Sequence, residues 1–398
     1  MIQINNELKG IIPPLTSEEY KSLEESILAE GCREAIILWN DIIVDGHNRY
    51  EICSKHNIEF KTIQKKFDDI NEVKKWIINN QISRRNISKA QRIVLALTFE
   101  EIIKFQAKEL QKRKPESVPP NLAEQKIDTR QEIAKMADAS HGSVSKMKKI
   151  LEKASDDTKE KVISGDMSID EGYKKTTNDE KRQFRKELSE KGKDIFLDVD
   201  FRFGDFNVVL EDIPDNSVDI IITDPPYPIK YIDCWEQLSL FASRKLRDGG
   251  FCIAYSGQYN LYEVMTRMNK HLRYYWTFAM YHAGSTQIVN AVNIICRWKP
   301  VLIYQKGSRK LTKTLQDYFI SEKKEKESHD WQQSKSSVSH LINVFTEEGD
   351  LIVDTFAGAG TTIIAAKQLN RRIIAAEIDE ETFNIAKFNI HNNDKRTE

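Results

Sequence analysis

Two stretches of this sequence hold residue types that could do chemistry together. The first is ITDPPYPIKY, 222–231, directly after the apolar run VDIII. Two consecutive prolines cannot continue a strand ladder and hold the chain in a rigid, extended turn. The turn presents Asp224 and Tyr227 with the carbonyls of Pro225 and Pro226. A carboxylate and a carbonyl accept hydrogen bonds from an NH2 group, and an aromatic ring stacks on a planar base. The second stretch is VDTFAGAGTT, 353–362, between an apolar run and the helical pattern TTIIAAKQLN. Gly358 and Gly360 let the backbone turn tightly and approach a ligand without a Cβ in the way. Glu377 follows at the end of RRIIAAE, where an acid is placed to bind ribose hydroxyls. The pattern is G-x-G-T-T, not a phosphate cradle of the G-x-x-x-x-G-K-[ST] type. Either turn alone is equally a structural turn; the pair is informative.

The elements that must position these residues have the texture of an α/β domain. IFLDVD, VDIIITD, GGFCIAYSG, KPVLIYQKG, DLIVDTFAG and RRIIAAEID are short, near-continuous apolar runs from residue 194 onward, several separated by helical segments. Such runs suit strands buried on both faces of a parallel sheet. The chain before them differs. EAIILWN (34–40) and DIIVDG (41–46) read as two strands around the turn pair Asn40-Asp41, with helical patterns at 17–31, after Gly46 and at 70–80. A second helical stretch, 88–115, ends at the proline-rich PESVPPNLAEQK. The expected domains are 1–87, a helical region 88–176, a solvated linker helix 177–193, and 194–398.

Length and composition set the outer limits. The chain has 398 residues, 60 Lys+Arg against 61 Asp+Glu, and a net charge of −1. The excess is uneven: 84–193 holds 26 basic and 19 acidic residues, so any nucleic-acid contact is expected to concentrate there. No run of about 18 apolar residues marks a membrane span. The N-terminus lacks the pattern of a signal peptide. The 5 cysteines include no C-x-x-C pair, which argues against a disulfide framework or a cysteine-rich metal site. A cytoplasmic protein without a metal is the expectation.

Residues 129–154 have helix-turn-helix spacing. Thr129 and Glu132 stand at capping-box spacing, Ala134 is small where helices could cross, and Asp138-Ala139-Ser140 is a short turn. Ser140 then caps a helix with Val144, Met147, Ile150 and Leu151 inward. That helix offers Ser140, His141, Ser143, Lys146 and Lys149 to a major groove.

With these residues in view, the sequence resembles known families. D-P-P-Y followed by F-x-G-x-G-T-T is similar to the S-adenosylmethionine-dependent amino-methyltransferases of DNA, in the motif order of their permuted beta group. The resemblance covers about 200–392 and implies a Rossmann-like fold with S-adenosylmethionine as cofactor. It implies a catalytic motif of Asp224, Pro225, Pro226 and Tyr227. It implies cofactor binding by Asp354, Phe356, Ala357, Gly358, Gly360, Thr361 and Thr362, with Asp205 at the adenine and Glu377 at the ribose. HDWQQSKSSVSHLINVF (329–345) resembles the segment before the cofactor strand, with Ser334-Lys335 where the family has Lys-Pro. D-P-P-Y resembles the adenine enzymes; cytosine-amino enzymes more often carry Ser for the Asp, and relatives acting on RNA or protein glutamine usually carry Asn.

The first half resembles ParB-type proteins. IIVDGHNRYEIC (42–53) looks like the ParB/sulfiredoxin motif with Gly46, Arg49 and Tyr50, and NNQISRRNIS (79–88) like the second ParB motif with Arg84. Asn80 stands where that motif has Glu, which speaks against nucleotide hydrolysis. His47 stands where sulfiredoxin has its cysteine. Arg49 and Arg84 join the DNA-contact expectations. The implied whole is an N-terminal α+β ParB-like domain, a helix-turn-helix module and a methyltransferase acting on a flipped-out base of double-stranded DNA, as in restriction-modification systems, with no membrane partner and a homodimer left open. Only about 22 residues separate Ser308 from His329, short for a separate target-recognition domain. The alternative is a partition or regulatory DNA-binding protein with a secondary methyltransferase domain.

Overall fold

In the computed structural model the chain divides into two compact units, Met1–Lys181 and Arg182–Glu398. The residues described are 2–12, 15, 17–82, 87–98, 100, 129–282, 287–311, 314–321 and 335–397.

The first unit opens with α1 (Asn6–Lys9), α2 (Ser17–Glu30), β1 (Ile36–Trp39), β2 (Ile42–Asp45), α3 (His47–His56) and β3 (Thr62–Gln64). The strands pair in the order β2-β1-β3, β1 antiparallel to β2 and parallel to β3. Asn40 and Asp41 take φ of 48° and 64°, the left-handed pair a tight hairpin needs. The helices α4 (Ile70–Ile82), α5 (Lys89–Thr98), α6 (Thr129–Met136), α7 (His141–Lys153) and α8 (Asp156–Ser164) follow. Ile78, Ile93, Ala134, Val144, Met147, Ile150 and Val162 form one buried core among them. Ala134 is buried in that core, and Asp138 turns the chain with φ 48°. The next helix, α9, runs unbroken over Ile169–Gly192, so 177–193 is the second half of a longer helix and not a separate one.

The second unit is built on an eight-stranded sheet. Its strands are β4 (Asp200–Phe203), β5 (Val218–Thr223), β6 (Leu246–Tyr255), β7 (Arg273–His282), β10 (Trp298–Gln305), β11 (Tyr318–Ser321), β12 (Leu351–Asp354) and β13 (Arg372–Glu377). A small hairpin, β8 (Gln287–Val289) with β9 (Ile294–Cys296), lies between β7 and β10 in sequence. The strand order is β11-β7-β10-β6-β5-β12-β13-β4. From β6 through β4 all neighbours are parallel; β10 is antiparallel to both β6 and β7. The sheet is therefore mixed, not wholly parallel as the apolar runs suggest. KPVLIYQKG is buried whichever way it runs, so composition does not report its direction.

Helices cover both faces. α11 (Asp233–Lys245) and α12 (Leu261–Met268) bring Trp235, Leu238, Phe241, Val264 and Met268 to Ile221 and Val353 on one face. α13 (Lys335–Phe345), α14 (Thr361–Gln368) and α15 (Glu380–Thr397) bring Leu341, Ile342, Ile363 and Ile390 to Ile220, Ile222 and Ile352 on the other. One sequence-based strand shifts: IFLDVD is expected as a strand, but β4 begins at Asp200 and Phe196 is 97% exposed. The edge of β13 pairs with Asp200–Phe203, while Leu197 and Val199 pack on the core from outside any strand.

β5 leads by α11 to β6 on one side, and β12 leads by α14 to β13 on the other. The strand order thus reverses between β5 and β12, and the carboxyl ends of these two strands are where open α/β sheets bind ligands.

Candidate active site

The two chemistry-bearing turns emerge side by side from this switch point. β5 ends in Thr223 and β12 in Asp354, and the strands are in register at Ile352–Ile220 and Val353–Ile221. Thr223 Oγ1 donates to Asp354 Oδ1 over 2.8 Å, and the Phe356 N–H donates to the same carboxylate oxygen at 3.1 Å. Asp354 is fully buried, and burial pushes its carboxyl up to about 6 against the pull of its hydrogen bonds from Thr362, Thr223 and the Phe356 amide.

The glycine turn is ordered by Glu377 at the end of β13. Its Oε2 accepts from the Gly358 N–H at 2.8 Å and its Oε1 from the Asp379 N–H at 2.9 Å. Burial raises the Glu377 carboxyl above its usual range, and these two amide bonds oppose that rise. Gly360 caps α14 with φ 84°, a left-handed conformation that favours glycine, and a Cβ there would press on Ile390 at 3.1 Å. Gly358 has φ 54°, and a Cβ there would find no atom closer than the Phe356 carbonyl at 4.0 Å. The backbone is thus open at Gly358. Ala357, Thr361 and Thr362 are buried, and Ala357 donates to the Ala376 carbonyl at 2.9 Å. Half-buried Phe356 packs on Phe206, ring centroids 5.2 Å apart. Exposed Asp205 caps the short helix α10 (Phe206–Val209), accepting from the Asn207 amide at 2.9 Å. An open glycine backbone after β12, Glu377 at the end of β13 and Asp205 after β4, on three neighbouring strands, fit a nucleoside-containing cofactor. Ser334 lies outside the described residues, as does the side chain of Lys335.

The D-P-P-Y turn is held from three sides. Trp235 Nε1 donates to the Pro226 carbonyl at 3.4 Å, and Asn260 Nδ2 to the Tyr227 carbonyl at 3.1 Å. The Tyr227 hydroxyl donates to Asp224 Oδ1. Lys299 Nζ donates to the Tyr227 hydroxyl at 2.7 Å and lies 4.8 Å from the centre of its ring. Burial and the neighbouring Asp224 hold the Tyr227 phenol well above its ordinary value, so it stays protonated. Lys299, Trp235 and Asn260 were not legible as site residues. Lys299 reads as the polar start of a buried strand, and no spacing links it to Asp224.

The residues expected to meet DNA are more occupied than their sequence suggests. Ser140 caps α7 through the Ser143 amide, and their hydroxyls lie 3.0 Å apart. Lys146 pairs with Asp170 at 2.5 Å and Lys149 with Glu180 at 2.7 Å. His141 is exposed. Arg49 pairs with Glu34 at 2.7 Å and Asp45 at 3.4 Å. Arg84 and the side chains of Thr129 and Glu132 lie outside the described residues. Among the described residues no helix is long and apolar enough to cross a membrane, and no group of three His, Cys, Asp or Glu gathers as a metal site.

The glycine turn and the D-P-P-Y turn stand abreast at the switch point of an open α/β sheet, the place where such sheets bind ligands. Residues 218–388 match the N6_N4_Mtase family model, described as DNA methylase. Among curated proteins, the type II methyltransferase M.HindIII of Haemophilus influenzae is 32% identical over 120 residues, 28% of this chain and 37% of that protein. The type II methyltransferase M.HpaI of Haemophilus parainfluenzae is 23% identical over 45% of this chain and 69% of its own length. The chain thus spans under two fifths of the first relative. Among solved structures, the M1.HpyAVI–SAM complex is 20% identical with a TM-score of 0.41, covering 48% of this chain and 97% of that one.

Proposed function

We propose that this chain methylates the exocyclic amino group of a base in double-stranded DNA, with adenine as the target and S-adenosylmethionine as the methyl donor. The observation that supports it most is the placement of Asp224 and Tyr227 one strand away from the open glycine turn, with Thr223 and Asp354 bonded between them. D-P-P-Y favours adenine over cytosine.

The amino group of a base is a weak nucleophile because its lone pair is delocalised into the ring. Accepting its hydrogens on Asp224 and the Pro225 carbonyl favours a pyramidal nitrogen with the lone pair exposed. The proline pair fixes these acceptors before the base arrives, so little ordering remains to be done in the transition state. When bound, S-adenosylmethionine supplies an activated methyl on its sulfonium. Gly358, Glu377 and Asp205 would hold it, Gly358 by the bare backbone and the two acids by hydroxyl and amino hydrogens. Phe356 would give it apolar contact, and the Tyr227 ring would stack on the target base. The target atom is stacked inside a duplex, so the base must be turned out to reach Asp224.

The first unit serves this reading as the DNA-holding part. Its GHNRY and helix-turn-helix segments resemble ParB-type modules. The ion pairs of Lys146 and Lys149 are open to solvent, where such pairs contribute little, so a phosphate could displace Asp170 and Glu180 at small cost. The test is methyl incorporation into DNA together with salt-dependent duplex binding. Transfer to DNA that is lost in Asp224→Ala supports the reading; duplex binding without transfer favours a regulatory DNA-binding protein.

A further inference from the structure

Lys299 belongs to no motif, yet it is the third member of a directed chain of hydrogen bonds that ends on Asp224. An ammonium has donors and no acceptor, so the 2.7 Å contact between Lys299 Nζ and Tyr227 Oη has one direction, lysine to phenol. The phenol has a single proton. With Lys299 donating to it, that proton goes to Asp224 Oδ1, the partner the geometry records. The same ammonium lies 4.8 Å from the centre of the Tyr227 ring, at its hydroxyl end.

The scaffold makes this contact possible. β10 runs antiparallel to β6, with Val301 opposite Tyr255, so its first residues lie at the edge where β5 and β6 end. Lys299 thus reaches the D-P-P-Y turn from a strand two places away in the sheet. Its partly buried position strengthens the ion–phenol bond relative to water.

We propose that Lys299 is a positioning residue: it fixes the direction of the Tyr227 O–H, and through it the orientation of Asp224 toward the target amino group. This rests on the methyltransferase reading and deepens it. Lys299 touches neither cofactor nor reacting atoms in this role; it acts through Tyr227.

The test is a mutant cycle in the full-length protein, read as kcat and KM for DNA methylation. Lys299→Met keeps length and removes the donor. It should lower kcat by about 10²-fold, the scale of a displaced catalytic group, while S-adenosylmethionine affinity measured by calorimetry stays unchanged. Lys299→Arg should restore most of the loss. In the Tyr227→Phe background, Lys299→Met should add almost nothing, because the hydroxyl that transmits its effect is gone. Three results overturn the proposal: kcat unchanged in Lys299→Met; losses that multiply in the double variant; or a raised KM for DNA with a shallower salt slope, which would make Lys299 a phosphate contact. Weakened cofactor binding in Lys299→Met would likewise assign it a structural role. A wild-type protein that methylates no DNA overturns the underlying reading instead, and that is seen before any variant is compared.

Discussion

Thr223 and Asp354 end adjacent parallel strands and are joined across the sheet by a 2.8 Å hydrogen bond from Thr223 Oγ1 to Asp354 Oδ1. Each is the last residue before one of the two turns, so this bond sets the distance between them. Thr223 Oγ1 also accepts from the Phe356 amide at 3.1 Å, which ties the start of the glycine turn to the end of β5. In Thr223→Val two buried partners lose a bond. A stability loss of about 1–3 kcal/mol is expected, read by chemical denaturation. A change within error would show that the bond does not couple the turns.

Asp354 makes stability depend on pH in a defined direction. Burial raises its carboxyl to about 6 in the folded chain, from an ordinary value of 3.8. Between these values the folded state binds the proton more tightly than the unfolded state. Stability from this group is therefore highest below about pH 4 and is lost as pH rises through 6. Asp354→Asn keeps an acceptor for Thr223 and cannot ionise. The difference in melting temperature, wild type minus variant, should fall as pH rises from 4 to 7; a flat difference would contradict the shift.

The two glycines of the turn should fail differently. Gly360→Ala forces a Cβ onto Ile390 at 3.1 Å at φ 84° and should cost about 1–3 kcal/mol of stability. Gly358→Ala meets no neighbour inside 4.0 Å, so its folding cost should be smaller. Its methyl group would instead stand where the cofactor approaches. Calorimetry with S-adenosylmethionine should show weakened binding in Gly358→Ala, with a loss of stability smaller than that of Gly360→Ala and set by the left-handed φ of 54° alone. Equal effects on both properties in both variants would remove the distinction.

Glu377 already holds the Gly358 and Asp379 amides with its two oxygens. Glu377→Gln turns one acceptor into a donor that faces an N–H. Cofactor affinity should fall by about tenfold or more, since one misplaced hydrogen bond to a buried group costs about 1–3 kcal/mol. Unchanged affinity would remove Glu377 from the site.

For the first unit, replacing Lys146 and Lys149 by Ala should reduce the slope of log affinity against log salt for duplex DNA by about 1.8, if each meets one phosphate. An unchanged slope would leave both lysines to Asp170 and Glu180.

Much of the second unit was legible because each signal was local. Apolar runs mark β5, β6, β10, β12 and β13, and the turns that follow β5 and β12 carry their own chemistry in four to ten consecutive residues. In the first unit Asn40-Asp41 marked its hairpin for the same reason. What was hidden is what needs three dimensions. The mixed direction of the sheet is invisible in buried runs. Phe196 looked like a strand residue because its apolarity carries no record of which segment pairs with β13. Lys299 and Asn260 reach the D-P-P-Y turn only through sheet order and a helix start. Glu377 was read as a ribose ligand, but its bond to Gly358 appears only once β12 and β13 are paired.

The measurement closest to the central claim is mass spectrometry of nucleosides from unmethylated DNA incubated with S-adenosylmethionine and either the wild-type protein or Asp224→Ala. N6-methyladenine with the wild type and none with the variant is the expected result. No methylated base with either protein, or equal amounts with both, would contradict the account.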